Sequence, residues 1–132
     1  MYVIEMSLYT LILSYNPCDI FTHYGVSEMH GLSASECQVH ENNESQAYIA
    51  GWCNYAPKES GEYVDGDRVF VFINLSRCTD DIRTMGVVMH EMMHCSGHVF
   101  GDRWDEKEEE MITWAEEEAY KVVDIIKKYE GL

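Results

Sequence analysis

Five consecutive residues, Val69-Phe70-Val71-Phe72-Ile73, are β-branched or aromatic throughout, within a run from Arg68 to Leu75. Such side chains lose rotamer freedom in a helix and pack well on a pleated surface, so the run reads as a strand. Its near-continuous apolar character suits a central strand covered on both faces, or equally the edge of a sheet. A second strand is expected over Ala47 to Tyr55, Ala-Tyr-Ile-Ala-Gly-Trp-Cys-Asn-Tyr, with a turn-rich connector at Pro57, Ser60, Gly61 and Asp65-Gly66. Thr79 follows the strands with Asp80 and Asp81 behind it, a capping hydroxyl and then acids where the helix dipole is positive. That helix is expected to reach about Ser96 and stop at Gly97. A second long helix, from about Asp105 to Tyr129, opens on an acidic run and closes on Lys127 and Lys128, with Gly131 beyond it.

Upstream the signals are weaker. The first 15 residues are apolar and lean towards helix. Asn16-Pro17 then reads as a helix start, with Asn16 as N-cap, Pro17 in the first turn and Asp19 behind it, giving a short helix over about 17–24 that ends at Gly25. Residues 27–46 are polar and read as a connecting loop. With 132 residues, 46% of them hydrophobic, and no repeat or linker, the chain is expected to form a single domain over 1–132. The class is α+β, strands first and two long helices last.

Charge and cysteines exclude several functions. Twenty-four acidic against nine basic residues give a formal charge of -15, which repels a phosphate backbone and argues against a nucleic-acid partner. The five cysteines contain no C-x-x-C pair, so neither a zinc ribbon nor a redox motif is written here, and reduced thiols in a cytoplasmic setting fit best. The apolar run Leu8 to Leu13 has no Lys or Arg before it, follows Glu5 and lacks a small-residue cleavage site, which argues against a signal peptide. No stretch reaches the roughly 20 apolar residues needed to cross a bilayer, so no membrane role is expected.

The chemistry is concentrated in His90-Glu91-Met92-Met93-His94. Residues four apart on a helix project from one face, so His90 and His94 can present two imidazole nitrogens to one metal ion. Glu91 stands beside them with a carboxylate able to act as general acid/base on a water molecule. This H-e-x-x-H spacing is that of a zinc-dependent hydrolase, with Zn2+ as the expected cofactor. Val87, Val88, Met89, Met92 and Met93 flank the motif and can bury its scaffold.

Together with the preceding strand, these residues resemble the zincin metallopeptidases. The resemblance covers about Arg68 to Lys128, with His90, Glu91 and His94 matching by position. It implies a zincin-like fold, a small sheet packed against the motif helix and a long C-terminal helix, and an activity on peptide bonds with Glu91 as catalytic residue. In the gluzincin branch the second helix supplies a glutamate as third ligand. Glu108-Glu109-Glu110-Met111-Ile112-Thr113-Trp114-Ala115 looks like the corresponding acidic segment of small bacterial and phage zincins, including the ImmA/IrrE and ArdC types.

Helical geometry weighs the third ligand. At about 100° per residue, Met111, Ile112, Ala115, Ala119, Val122, Val123 and Ile126 form one apolar stripe. Glu108 falls at its centre, Glu116 and Glu118 at its edges, and Glu109, Glu110 and Glu117 towards solvent. A carboxylate on a core-facing stripe is costly unless paired or metal-bound, which nominates Glu108 with His90 and His94. His98, Glu109, Glu116 and Glu118 remain alternatives. His98 would share the face of His90 and His94 only if the helix ran past Gly97, and the later histidine of the metzincin pattern is absent because Phe100 stands there.

The expected substrate is a peptide or protein, laid along the Val69 to Leu75 strand if that strand is the sheet edge. The alternative is a zincin-like module that binds a partner protein, such as an accessory factor of a phage or mobile element, with weak or no proteolysis. His23, His30 and His40 have no ligand spacing, Asp102 and Asp105 read as surface carboxylates, and Cys95 points about 100° away from His94, towards packing.

Overall fold

The computed structural model describes residues 1–29, 31–37, 50–56 and 68–130. The chain is α+β: a mixed four-stranded sheet, with two long C-terminal helices against one face. The expected connector between Pro57 and Gly66, and His30 and His40, lie outside the described residues.

The apolar N-terminus is not a helix. It forms a hairpin of β1 (Tyr2–Glu5) and β2 (Tyr9–Ser14), paired antiparallel from Tyr2 opposite Leu13 to Glu5 opposite Thr10. β2 is buried along its whole length, so Leu11, Ile12 and Leu13 are apolar in succession on alternate faces and the alternation that marks a half-exposed strand is broken. The short helix α1 (Asp19–Tyr24) follows, beginning two residues later than expected. Asn16 does not cap it in the expected register: its Oδ1 accepts from the Cys18 N–H at 2.8 Å, ahead of the first helical residue. Gly25 ends it in the left-handed region at φ 66°. The expected loop holds a two-residue ladder, β3 (Glu28–Met29) against β4 (Leu32–Ser33), followed by a helical turn over 34–37.

β5 (Gly51–Tyr55) and β6 (Val69–Asn74) complete the sheet in the order β1-β2-β6-β5. β6 runs parallel to β2 and antiparallel to β5, with Trp52 opposite Phe72 and Cys53 opposite Val71. The β-branched run is therefore a central strand. The outer strand beside the motif helix is β5, which pairs only with β6 among the described residues.

Alternate residues feed two cores, as a pleat requires. Tyr9, Leu11, Leu13, Cys53, Val69, Val71 and Ile73 face the long helices, while Ile12, Trp52, Phe70 and Phe72 face α1 and Met29. Helix α2 (Asp81–Phe100) is capped by Asp80 rather than Thr79, its carboxylate accepting from the Arg83 N–H at 2.7 Å. Helix α3 (Trp104–Glu130) is interrupted at Lys107, φ -127° and ψ 19°, and then runs back along α2 until Lys127 meets Asp81 at 3.7 Å. Neither it nor any other helix among the described residues is long and apolar enough to cross a membrane.

Gly97 does not stop α2. The helix continues to Phe100 and ends at Gly101, φ 69°. Gly97 is instead a point of close approach: Asp102 folds back so that its N–H donates to the Gly97 carbonyl at 2.7 Å, and a Cβ on Gly97 would lie 2.8 Å from Asp102 Oδ1.

Candidate metal centre

α2 packs with Val88, Met92 and Cys95 fully buried against the sheet. That anchoring face sets the direction of the motif residues, because the intervening positions must turn away. His90 and His94 come out exposed, and Glu91 lies between helix and sheet at 5% exposure. The two imidazoles stand one turn apart with ring centroids 4.9 Å apart and planes at 72°. Zinc–nitrogen bonds of about 2.0–2.1 Å need ligand nitrogens only some 3–3.5 Å apart, a spacing two rings so placed can meet. Burial, then the neighbouring His90 and His98, hold His94 below the usual histidine value, which keeps it in the neutral form a metal requires.

Glu91 projects towards β5 and lines an open groove of about 410 Å³ with Ala50, Gly51, Gly86, Val87 and His90. His90 Nε2 stands 3.8 Å from Glu91 Oε1, beyond hydrogen-bond length. Every fully buried side-chain nitrogen or oxygen among the described residues has a partner. The Glu91 oxygens, lacking a bonded one, therefore meet the groove. Burial pushes the Glu91 carboxyl up to about 7 from its ordinary 4.5.

Room for that side chain is made by the opposite strand. A Cβ on Gly51 would lie 2.5 Å from Glu91 Cγ, 2.9 Å from its Cδ and 3.0 Å from the Phe72 carbonyl oxygen, so no other residue fits Gly51's place without displacement. This contact is invisible in the sequence, where Gly51 reads only as an interruption of an apolar run. Further along, Tyr55 meets His98 edge to face with centroids 4.6 Å apart, so β5 and α2 run side by side in the same sense.

The remaining predicted residues are not assembled around the histidine pair. Glu108 is exposed although it keeps the angular position expected of it, because burial on α3 begins only at Met111. The buried carboxylate of that helix is Glu118, at 5%, and both its oxygens are engaged: Tyr9 Oη donates to Oε1 at 3.1 Å and Lys121 Nζ to Oε2 at 2.8 Å. Glu109 and Glu116 are exposed. His98 does share the motif face now that α2 continues, yet eight residues at 1.5 Å each put it about 12 Å along the axis from His90, too far for one ion to bind both. Among the described residues no group of three His, Cys, Asp or Glu side chains is positioned to hold a metal ion. The fit to zinc thus extends to two ligands, His90 and His94, with Glu91 beside them.

Cys95 faces the core, as its helical direction predicts. Contact with Cys95 and burial push the Cys53 thiol up, so Cys53 stays protonated. Asp102 is committed to the helix end by its approach to Gly97, and Asp105 is exposed. Compared with protein families, with curated proteins and with solved structures, the chain finds no match.

Proposed function

We propose that this protein is a zinc-dependent metallohydrolase of the zincin type, a peptidase in which His90 and His94 are metal ligands and Glu91 is the general acid/base. The observation that carries the reading is the setting of Glu91. A carboxyl group at 5% exposure, with no hydrogen-bond partner among the described residues, opens into a groove that His90 also lines, while His90 and the exposed His94 stand with ring centroids 4.9 Å apart. A buried carboxyl without a bonded partner lowers stability, and such arrangements occur where chemistry needs them.

A zinc ion bound there would acidify water and polarise a carbonyl group. Glu91 supplies the proton chemistry: its carboxylate takes a proton from the attacking water and delivers it to the departing amine. The outer edge of β5 offers backbone groups with which an extended peptide can pair, taking the role that the sequence suggested for Val69 to Leu75. A third protein ligand is part of the proposal, and Glu108, exposed on α3, is its nominee. The five cysteines form no disulfide, and Cys53 and Cys95 touch as thiols, which supports a reducing, cytoplasmic setting.

The test is hydrolysis of a peptide library by the zinc-loaded parent and Glu91→Gln. The parent should cleave, and the variant should retain zinc while turnover falls by at least about a hundredfold, in line with the loss of a general base. Zinc uptake with no Glu91-dependent cleavage would instead favour a partner-binding module.

A further inference from the structure

A hollow of about 410 Å³ lies where the end of α2 meets α3, lined by Phe100, Glu109, Glu110, Thr113, Trp114 and Glu117, and it shares no residue with the groove at Glu91. Its floor is aromatic and held in place. Trp114 meets Tyr9 edge to face with ring centroids 6.0 Å apart, and Phe100 likewise at 6.1 Å. Tyr9 is fully buried and its hydroxyl donates to Glu118, so Trp114 is fixed from the core side while it and Phe100 stay half-buried. Around this floor the charge is of one sign. Glu110 stands one turn before Trp114 and Glu117 one turn after it, with Glu109 beside Glu110, and all three are exposed. Lys107 reaches Glu110 at 3.4 Å, but no basic side chain lines the hollow, and the carboxylates of Glu109 and Glu117 have no ion-pair partner among the described residues. Carboxylates alone on a helix of an acidic chain are a solvated face. The hollow differs in joining them to two aromatic rings, and the group that suits both is a cation with a flat, weakly hydrated body.

We propose that this hollow is a docking site for an arginine side chain of a partner protein. A guanidinium is planar and delocalised, so it can lie on an aromatic ring while donating from its edge to carboxylates. A lysine ammonium is a compact, strongly hydrated charge and gives up more water to reach the same floor. The chain's formal charge of -15 draws a basic segment towards this face over a longer range. The same charge opposes a second copy of the chain as the occupant. The proposal stands apart from the peptidase reading: it assigns a partner-binding role to the far end of α2, ten residues and about 15 Å along the helix axis from His90.

The experiment follows the tryptophan indole N–H signals of the isotope-labelled protein by NMR during titration with the peptide acetyl-Gly-Arg-Gly-amide, and with its counterparts carrying lysine or citrulline, the uncharged isostere of arginine. The Trp114 signal is assigned by its loss in Trp114→Phe, and those of Trp52 and Trp104 serve as internal controls. The arginine peptide should move the Trp114 signal saturably and leave the other two in place, with the lysine peptide at least about threefold weaker and the citrulline peptide at least about tenfold weaker. Glu109→Gln/Glu117→Gln should weaken the arginine peptide at least about fivefold. Glu28→Gln/Asp124→Asn, an equal loss of charge at exposed positions outside the hollow, should weaken it less than about twofold. Equal weakening by the two double variants overturns the proposal in favour of diffuse attraction to an acidic protein. Arginine binding no tighter than either counterpart, or no saturable shift of Trp114, also overturns it. A Trp114 signal that moves with protein concentration in the absence of peptide overturns it in favour of a second copy.

Discussion

Gly51 and Glu91 occupy each other's space: a single methyl group on the glycine would stand 2.5 Å from the Cγ of the glutamate. The backbone of the outer strand is thereby fitted to one side chain of the motif helix. Inserting a methyl group into a contact this tight costs about 1–3 kcal/mol. Gly51→Ala is expected to lose that much stability in denaturant titration. In a Glu91→Ala background the same substitution should cost under about 0.5 kcal/mol, since the clashing atoms are gone. Equal cost in both backgrounds would place the strain elsewhere, at the Phe72 carbonyl.

The raised carboxyl of Glu91 makes the metal-free protein pH-sensitive. Its folded value of about 7 lies above its ordinary 4.5, so the protonated form is favoured by folding. The stability this contributes is fully present below 4.5 and is lost as the pH rises through 7, amounting to about 3 kcal/mol for a group so buried. Glu91→Gln should therefore match the parent near pH 4 and exceed it progressively between pH 5 and 8, by up to that amount. Thermal or denaturant unfolding in chelator across this range checks it, and parallel pH profiles would show that Glu91 carries no such load.

A second buried carboxylate has a structural task. Burial, and then the Glu118 charge, hold the Tyr9 hydroxyl far above its ordinary value, so it remains a donor to Glu118 at every pH the fold survives. Tyr9→Phe leaves Glu118 Oε1 without that donor and should destabilise the protein by about 1–3 kcal/mol. Zinc affinity should not move in Tyr9→Phe or Glu118→Gln, because both Glu118 oxygens are already engaged away from the histidine pair. A tenfold fall in zinc affinity in Glu118→Gln would identify that residue as a ligand.

The residues differ in how openly they declared these roles. The strand at Val69–Asn74 and the helix bearing His90 and His94 were legible because their local signals, β-branching in one and a capped acidic start in the other, agree with their tertiary surroundings. β2 was not legible because it is buried on both faces, which removes the period-two pattern. Only the four residues of β1 keep an alternation, too short to decide between strand and helix.

Gly97 was misread as a helix stop, and Glu108 as facing the core, because each signal has more than one physical cause. A glycine near the end of an apolar helix marks a stop or a close approach, and Gly97 is the latter, receiving Asp102 against its Cα. Spacing aligns Glu108 with the apolar stripe, but an angular argument assumes a core at every height along the helix. That of α3 begins a turn later, at Met111. The Gly51–Glu91 contact left no trace in the sequence, since it joins residues that only the pairing of β5 with β6 brings together.

Competitive zinc titration of the metal-free protein tests the central claim most directly. One ion per chain is expected for the parent and for Glu91→Gln, with affinity falling by at least about a hundredfold in His90→Ala and in His94→Ala, as for loss of a ligand bonded directly to the metal. A parent that takes up no zinc, or whose affinity is unchanged by either histidine substitution, would contradict it.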